Sequence, residues 1–223
     1  MPAETETAPE GIAIIGMAGR FPGAAGIEEF WQNLTGGRET ISTFSRDQLP
    51  AEEAASDADY VPRRGILEKP DWFDAGFFNI PPREAEAMDP QQRIFLETSW
   101  HALENAGCDP LQFSGSIGVF AGMSNSSWLQ HRILHNRGLR QQVGYESAMI
   151  CNEKDYLATR TAYKLNLRGP ALNIYTACST SLVAVCQAVQ ALQSYQCDAA
   201  LAGGVSIKWP QERGYTAQEG SIY

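Results

Sequence analysis

Blocks of hydrophobic and polar positions alternate along the chain and predict strands and helices in turn. An apolar run at residues 12–15, followed by Gly16, predicts a buried strand that leads into a loop. Residues 27–34 predict a helix that ends near Gly36-Gly37. Residues 40–71 are polar, mixed and without periodicity, which favours a surface excursion.

The next helix has the clearest start signal in the chain. Asp89 is a residue type that accepts hydrogen bonds from free N–H groups at a helix start, and Pro90 loses nothing at the first helical position. This pair predicts a helix that runs to about Ala106 and is closed by Gly107. Residues 116–121 then predict a strand.

The following segments continue the alternation. Asn152 is expected to cap a helix that runs to about Leu165, and Gly169-Pro170 breaks the pattern before a short strand at residues 171–175. Residues 179–194 are apolar almost all round, except for a stripe of glutamines, which predicts a buried helix.

The last predicted element is a strand at residues 198–207, rich in Ala and Gly. Its composition favours an interior strand that other backbone approaches closely, within a mainly parallel sheet. Strands that alternate with helices indicate an α/β fold with helices on the faces of the sheet.

Composition narrows the possible functions. A chain of 223 residues with 43% hydrophobic residues can bury a good-sized core. The net charge of −9 argues against a protein held to nucleic acid by phosphate contacts. Residues 1–10 form a polar tail with neither a basic start nor an apolar run, so we expect no export signal. The longest apolar stretch, residues 181–192, is interrupted by glutamines, so we expect no membrane span.

The cysteines suggest a compartment and a candidate nucleophile. Their number, five, is odd and no CxxC spacing occurs, which favours a reducing cytoplasm over a disulfide framework or a zinc ribbon. Cys178 lies at a predicted sharp turn from strand to helix, where free N–H groups and the helix dipole favour the thiolate. The same turn can direct backbone N–H groups at a thioester oxygen, as in an oxyanion hole. The alternative is that Cys178 is simply a small buried residue.

A family resemblance decides between these alternatives. Residues 176–182 (TACSTSL) resemble the active-site motif of the β-ketoacyl synthases of modular polyketide synthases. Further segments are similar to that family in the same order: residues 11–22 (GIAIIGMAGRFP), 30–34 (FWQNL), 82–97 (PREAEAMDPQQRIFLE) and 155–170 (DYLATRTAYKLNLRGP).

The resemblance implies a thiolase-like fold, in which two similar α/β halves form a layered αβαβα architecture and the protein is usually a homodimer. Residues 11–223 would be the N-terminal half. In the family, two histidines of the C-terminal half complete the site, in His-Gly-Thr-Gly-Thr and Asn-x-Gly-His motifs that this sequence lacks. Either the synthase is split between two polypeptides, or the sequence is a piece of a longer one.

The resemblance also implies a reaction and partners. Cys178 would accept an acyl chain delivered as a phosphopantetheine thioester by an acyl carrier protein. The complementary half would supply the histidines for decarboxylative condensation with a malonyl-type extender. No cofactor would be bound by the chain itself. Two alternatives stay open: a synthase that only transfers acyl groups without elongation, and a non-catalytic docking subunit.

Several other features favour simpler interpretations. The glycine-containing loop at residues 16–23 lacks the GxGxxG spacing of a dinucleotide site. His131 and His135 have the i, i+4 spacing of a metal pair, but a solvated helix face is the better interpretation, and no metal is expected. A basic cluster, Arg132, Arg137 and Arg140, either faces an acidic carrier protein or is simply solvated. Tyr175 stands where family members frequently have an acidic residue.

Overall fold

The computed structural model describes residues 11–45 and 59–220, and a three-stranded parallel sheet lies at its centre. Strand β4 (Ile117–Met123) is the middle strand, with β5 (Ala171–Asn173) on one side and β6 (Ala199–Val205) on the other. Val119 is in register with a residue of each neighbour. The prediction of a mainly parallel sheet is confirmed, although β5 is shorter than the predicted 171–175.

The remaining elements surround this sheet. The α-helices are α1 (Ile27–Thr35), α2 (Pro82–Ala87), α3 (Pro90–Asn105), α4 (Arg137–Val143), α5 (Tyr145–Ile150), α6 (Leu157–Lys164) and α7 (Thr180–Gln193). Two antiparallel pairs of very short strands join β1 (Ser42–Thr43) to β3 (Arg63–Arg64) and β2 (Tyr60–Val61) to β7 (Tyr215–Thr216). Single helical turns lie at Leu129–Ile133, Lys154–Tyr156 and Ala177–Ser179.

The sheet is covered on both faces, because successive side chains of a strand point to opposite sides. Val119 and Ala121 of β4 pack with the apolar faces of α3 and α6. Phe120, between them, packs with α7 on the other face. The described residues therefore form three layers, helices, sheet and helix, as the α/β prediction requires.

Helix α3 begins as predicted. The Asp89 carboxylate accepts a hydrogen bond of 2.7 Å from the Gln91 N–H, and Pro90 occupies the first turn. Gly107 closes the helix with φ +64°, a left-handed conformation that favours glycine.

The predicted capping role of Asn152 is wrong. Helix α6 begins at Leu157, after the 3₁₀ turn Lys154–Tyr156. Asn152 is buried, and its amide donates to the carbonyls of Ala87 at 2.8 Å and Ala148 at 2.7 Å. These carbonyls occupy the side chain, so it joins α2 to α5 instead of capping a helix.

The prediction of a buried strand at residues 12–15 is also wrong. No strand hydrogen bonds form there, and Ile14 and Ile15 are 80% and 64% exposed. The segment is instead attached to α3, where the Met17 N–H donates to the Asn105 side chain at 2.9 Å. A strand needs a neighbour with which to pair, and none of the described strands runs beside this segment.

A helix forms at residues 179–194 as predicted, as α7, but the prediction that it is buried is wrong for one of its faces. Leu182 and Val185 are 67% and 44% exposed, whereas Ala184, Ala188 and Ala191 are buried against the sheet. The sheet covers only one face of the helix, so apolar side chains on the other face meet solvent.

Strand β6 differs from the prediction in a related way, since it lies at the edge of the sheet and not in its interior. Only β4 pairs with it among the described strands. The surface excursion predicted at residues 40–71 contains β1, β2 and β3, while residues 46–58, like the polar tail, lie outside the described residues. No helix in the described ranges is both long and apolar enough for a membrane crossing.

Candidate active site

Cys178 lies in the turn that joins β5 to α7. It is the central residue of the 3₁₀ turn Ala177–Ser179, and its thiol is free and exposed. This turn lies at the carboxyl end of the parallel strands, the edge at which open α/β sheets usually bind ligands. The predicted strand-to-helix turn is therefore confirmed, and the alternative of a buried Cys178 is wrong for this structure.

The turn has a strained backbone that its own side chains hold. Ala177 has φ +51°, a left-handed conformation that costs a residue with a Cβ atom on the order of 1–3 kcal/mol. The Thr180 hydroxyl accepts from the Thr176 N–H at 3.0 Å and donates to the Ala177 carbonyl at 2.8 Å. The Ser179 hydroxyl donates to the Thr176 carbonyl at 2.8 Å. We call residues 176–180, fixed in this way, the elbow.

Two glycines let the elbow lie close to the sheet. A Cβ atom on Gly122 of β4 would be 2.1 Å from the Ile174 carbonyl oxygen and 2.4 Å from Cγ2 of Thr180. A Cβ atom on Gly204 of β6 would be 3.3 Å from Cβ of Ser181. The Ala/Gly-rich sequence of β6 was correctly interpreted as a site of close backbone approach.

This arrangement suits a nucleophile. The thiol is exposed to solvent just before the first turn of a 14-residue helix, and the free N–H groups and dipole at a helix start favour negative charge. A tetrahedral intermediate formed at Cys178 would place its oxyanion near the backbone of the same turn. The chemistry supported by this geometry is attack on an electrophilic carbonyl.

The other cysteines differ in their surroundings. Cys151 and Cys197 are buried and Cys108 is half-buried, and burial raises the pKa of each of these thiols. Cys186 is exposed, but it lies within α7, away from the first turn. The five cysteines therefore differ in access and position, and Cys178 is the exposed thiol that lies at a helix start.

Sequence reasoning missed the role of Gln91. Its buried side-chain oxygen accepts from the Ser124 hydroxyl at 2.6 Å and from the Ile207 N–H at 3.2 Å. Its amide donates to the Asp89 carboxylate at 3.3 Å. Ser124 and Ile207 follow β4 and β6, so Gln91 ties the strand ends at the edge that carries the elbow. The available signal was a run of polar residues, Gln91, Gln92 and Arg93, directly before the apolar positions 94–96 of the helix.

Buried charges beside Gln91 shape the local electrostatics. Burial raises the pKa of Asp89, opposed mainly by hydrogen bonds from Ser126 and Gln91. Burial lowers the pKa of Arg93 to about 10, opposed mainly by its attraction to Asp89. The Arg93 guanidinium donates to the Asp71 carbonyl at 2.8 Å and lies 5.0 Å from the Trp128 ring centroid.

The other candidates are dispersed over the surface. His101, His131 and His135 are exposed, and no described group of His, Cys, Asp and Glu residues has the arrangement of a metal site. In the basic cluster, Arg132 forms an ion pair with Glu86 at 3.7 Å, while Arg137 is exposed.

A cavity of about 820 Å³ lies beside β6. Loop residues 18–22, the helix α3 and residues 201–208 line it, and Cys178 does not. We call this cavity, which follows the free edge of β6, the edge groove.

Comparisons with known proteins place these features in a family context. Residues 9–220 match the family model "Beta-ketoacyl synthase, N-terminal domain". The chain is 46% identical over 221 residues to a subunit of the phenolphthiocerol/phthiocerol polyketide synthase of Mycobacterium tuberculosis, covering 95% of this chain and 15% of that protein. It is 42% identical to the pikromycin polyketide synthase component PikAII of Streptomyces venezuelae, covering 93% of this chain and 6% of that protein.

Solved structures show the same relationship. Ketosynthase twelve of the bacillaene polyketide synthase from Bacillus amyloliquefaciens superposes with a TM-score of 0.82 at 31% identity, covering 93% of this chain and 37% of that one. The module 6 ketosynthase of the bacillaene synthase from Bacillus subtilis 168 has a TM-score of 0.73 at 39% identity, covering 90% and 32%. The chain thus spans about a third of these structures and a smaller share of its curated relatives.

Proposed function

The chain belongs to the β-ketoacyl synthase family, as an N-terminal domain of the ketosynthases of modular polyketide synthases with the N-terminal lobe of a thiolase-like fold, and from this we propose that Cys178 is its acyl-accepting nucleophile. The observation that carries the proposal is the exposed thiol of Cys178 on the strained elbow, within the TACSTSL motif. The other cysteines lack this combination.

The proposed first step is acyl transfer from a carrier protein. The Cys178 thiolate attacks the carbonyl carbon of an acyl thioester on a phosphopantetheine arm. The bond from carbonyl carbon to phosphopantetheine sulfur breaks, and that sulfur leaves as a thiolate, which takes up a proton. A covalent acyl-enzyme divides one difficult reaction into two easier ones.

The proposed second step is condensation. A malonyl-type extender on a carrier protein loses CO₂, and the resulting enolate carbon attacks the acyl carbonyl on Cys178. The carbon–sulfur bond to Cys178 then breaks and releases the thiolate. Two histidines of a complementary C-terminal half would assist decarboxylation and stabilise the enolate, as the family resemblance implies. The completed domain would act as a homodimer in the cytoplasm.

The free edge of β6 supports a complementary half as partner. Ala199 and Val205 hydrogen-bond towards β4, and the N–H and C=O of a residue in a parallel strand point to the same side. The intervening Ala202 and Gly204 therefore direct their backbone groups into the edge groove, and both residues are exposed. Natural proteins usually protect such an edge with charges, Pro or a covering segment, and β6 (AALAGGV) has neither charge nor Pro.

Two other surfaces support the same partner. Ile14 and Ile15 are exposed on one flank of the molecule, and Leu182 and Val185 are exposed on α7. The sequence pattern predicts burial of these apolar side chains, but the structure exposes them. Exposed apolar surface of this kind indicates a site for a protein partner. A strand of the partner in the edge groove would pair with β6.

The test uses carrier-bound substrates with and without a polypeptide that supplies both histidine motifs. The mixture should condense acyl and malonyl units, while this chain alone should show negligible condensation, because general acid–base assistance contributes roughly 100- to 10,000-fold. Cys178→Ala in the mixture should abolish acyl loading without preventing assembly. Transfer without elongation would support the non-elongating alternative, and assembly without any loading of the parent chain would support a docking subunit.

Hydrogen exchange tests the partner surface separately. The amides of Ala202 and Gly204 should exchange rapidly in the chain alone and slowly in the complex. The amides of Leu201 and Gly203, which face β4, are internal controls and should be protected in both states. Rapid exchange at Ala202 and Gly204 in an active complex would exclude pairing along β6.

A further inference from the structure

The hydroxyl groups of the elbow join it to α7, the helix that follows it. Its connection to β5, the strand that precedes it, needs separate support. Thr180 and Ser179 fasten the turn to the start of α7. The left-handed Ala177 backbone persists only where surrounding structure holds it. Support before the turn must come from residues 173–175, which connect β5 to the elbow.

Asn173 provides one attachment. Its side-chain oxygen accepts from the Ala158 N–H at 2.9 Å, and its amide donates to the Asp155 carbonyl at 2.5 Å. Both ends of the side chain are therefore bonded to the backbone that surrounds the 3₁₀ turn Lys154–Tyr156 and the start of α6.

Tyr175 provides a second attachment to the same turn. The Lys154 ammonium lies 4.4 Å from the centroid of the Tyr175 ring, within the range of a cation–π contact. Burial, and then the neighbouring Asp155 carboxylate, raise the pKa of Tyr175, so its hydroxyl stays protonated. An acidic residue at position 175 would instead place a second carboxyl beside Asp155.

The turn is itself anchored to the interior. The Gln92 amide of α3 donates to the Glu153 carbonyl at 3.0 Å, immediately before the turn. Gln91 and Gln92 thus fasten different parts of the same edge: Gln91 holds the ends of β4 and β6, and Gln92 holds the segment that reaches β5.

From these contacts we propose that the turn Lys154–Tyr156 is a brace for the elbow, with Asn173 and Tyr175 as positioning residues for Cys178. The proposal rests on the proposed function only in that Cys178 is the nucleophile whose reactivity the brace sustains. Loosening the brace lets the Ala177 backbone relax, and the thiol then loses its fixed position at the start of α7.

The experiment measures the alkylation rate of each cysteine by iodoacetamide, using peptide mass spectrometry on the whole chain. Tyr175→Ala should lower the alkylation rate of Cys178 by about threefold, the size of an exposed cation–π contact. Tyr175→Phe keeps the ring over Lys154 and loses only the hydrogen bond to Asp155, so its rate should fall less. Lys154→Ala should lower the alkylation rate of Cys178 by a similar factor. The double variant should be no slower than either single variant, because both remove the same contact.

The chain contains its own controls. Tyr163 is 80% exposed and also lies beside a lysine, Lys164. Tyr163→Ala should therefore leave the alkylation rate of Cys178 unchanged. Cys186 is the exposed internal standard, and new labelling of buried Cys151 or Cys197 would show unfolding instead of lost positioning. In acyl loading, Tyr175→Ala should lower kcat and leave KM unchanged.

Three results would overturn the brace: an unchanged Cys178 rate in Tyr175→Ala, additive losses in the double variant, or unfolding in Tyr175→Ala sufficient to explain the loss. Asn173→Ala, judged by the same labelling pattern, provides an independent second variant. Failure of the proposed function is distinguishable, because the parent chain would then not load acyl groups at Cys178 even if the alkylation pattern followed the brace.

Discussion

The elbow and the free edge of β6 differ in how completely other described residues hold them. The elbow is held by its own hydroxyl groups, lies close against Gly122, and is connected through Asn173 and Tyr175 to the segment around the turn Lys154–Tyr156. The free edge of β6 faces a cavity of about 820 Å³, and the apolar segment at residues 12–15 is exposed.

The difference indicates which properties the chain determines locally. The position of the Cys178 thiol depends on residues within the described lobe, and so it is formed here. Complete burial of the sheet and of α7 requires surface from outside this lobe. We therefore expect substitutions near the elbow to act in the chain alone, and substitutions along β6 to act mainly in the complex.

Among the substitutions near the elbow, Gly122→Ala should cause the largest loss of stability. Its Cβ atom would be 2.1 Å from the Ile174 carbonyl oxygen, and backbone cannot easily move away inside a paired strand. Overpacking of this kind typically costs 1–3 kcal/mol, and we expect about 3 kcal/mol of lost unfolding free energy by urea titration.

Gly203→Ala is the matched control for Gly122→Ala. The nearest atom to its added Cβ is a carbon of Phe95 at 3.7 Å, an ordinary contact. Equal destabilisation by the two substitutions would contradict the close approach of the elbow to β4.

Gln91→Ala should have the next largest effect. It removes the acceptor of the Ser124 hydroxyl and of the Ile207 N–H, and each unsatisfied buried group costs roughly 1–3 kcal/mol. We expect about 2 kcal/mol of destabilisation in thermal and urea unfolding. Gln92→Ala removes one hydrogen bond, to the Glu153 carbonyl, and should cost less. The reverse order would show that Gln91 does not hold the strand ends.

Asp89→Asn should have the smallest effect and should change mainly the dependence on pH. Burial raises the pKa of Asp89 above its ordinary value of 3.8, so the stability that this group contributes is present below that value and is lost as pH rises through the folded pKa. Asparagine keeps a cap acceptor without this charge. The free energy of unfolding of the variant should therefore rise relative to that of the parent as pH rises from acid to neutral.

Unfolding of both proteins across that pH range checks the sign. If the parent gained stability relative to Asp89→Asn as pH rose, the Asp89 carboxylate would be stabilised by its partners more than it is destabilised by burial.

The sequence predicted correctly those elements that depend on residues close together in the chain. Asp89-Pro90 located the start of α3, and apolar runs located β4 and β6. The turn at Cys178 followed from a strand pattern that changes directly into a helix pattern. Such features depend on residues close together in sequence.

The predictions were wrong where the environment of a residue depends on parts of the molecule that are distant in sequence. The patterns at residues 12–15 and at Leu182 and Val185 indicate burial that the described lobe does not provide. Asn152 has the residue type of a cap, but the carbonyls of Ala87 and Ala148 take its amide. Nothing within the sequence near Gln91 identifies Ser124 and Ile207 as its partners.

Site mapping of acyl transfer tests the central claim most directly. The chain is incubated with a carrier protein that bears an acyl-phosphopantetheine thioester, and each cysteine peptide is then analysed by mass spectrometry. Cys186, exposed on the same helix, is the internal control for non-specific acylation. We predict that the acyl group is found on Cys178 and that Cys178→Ala removes it. Acylation chiefly at Cys186, or at Cys108, Cys151 or Cys197 with Cys178 unmodified, would contradict the account.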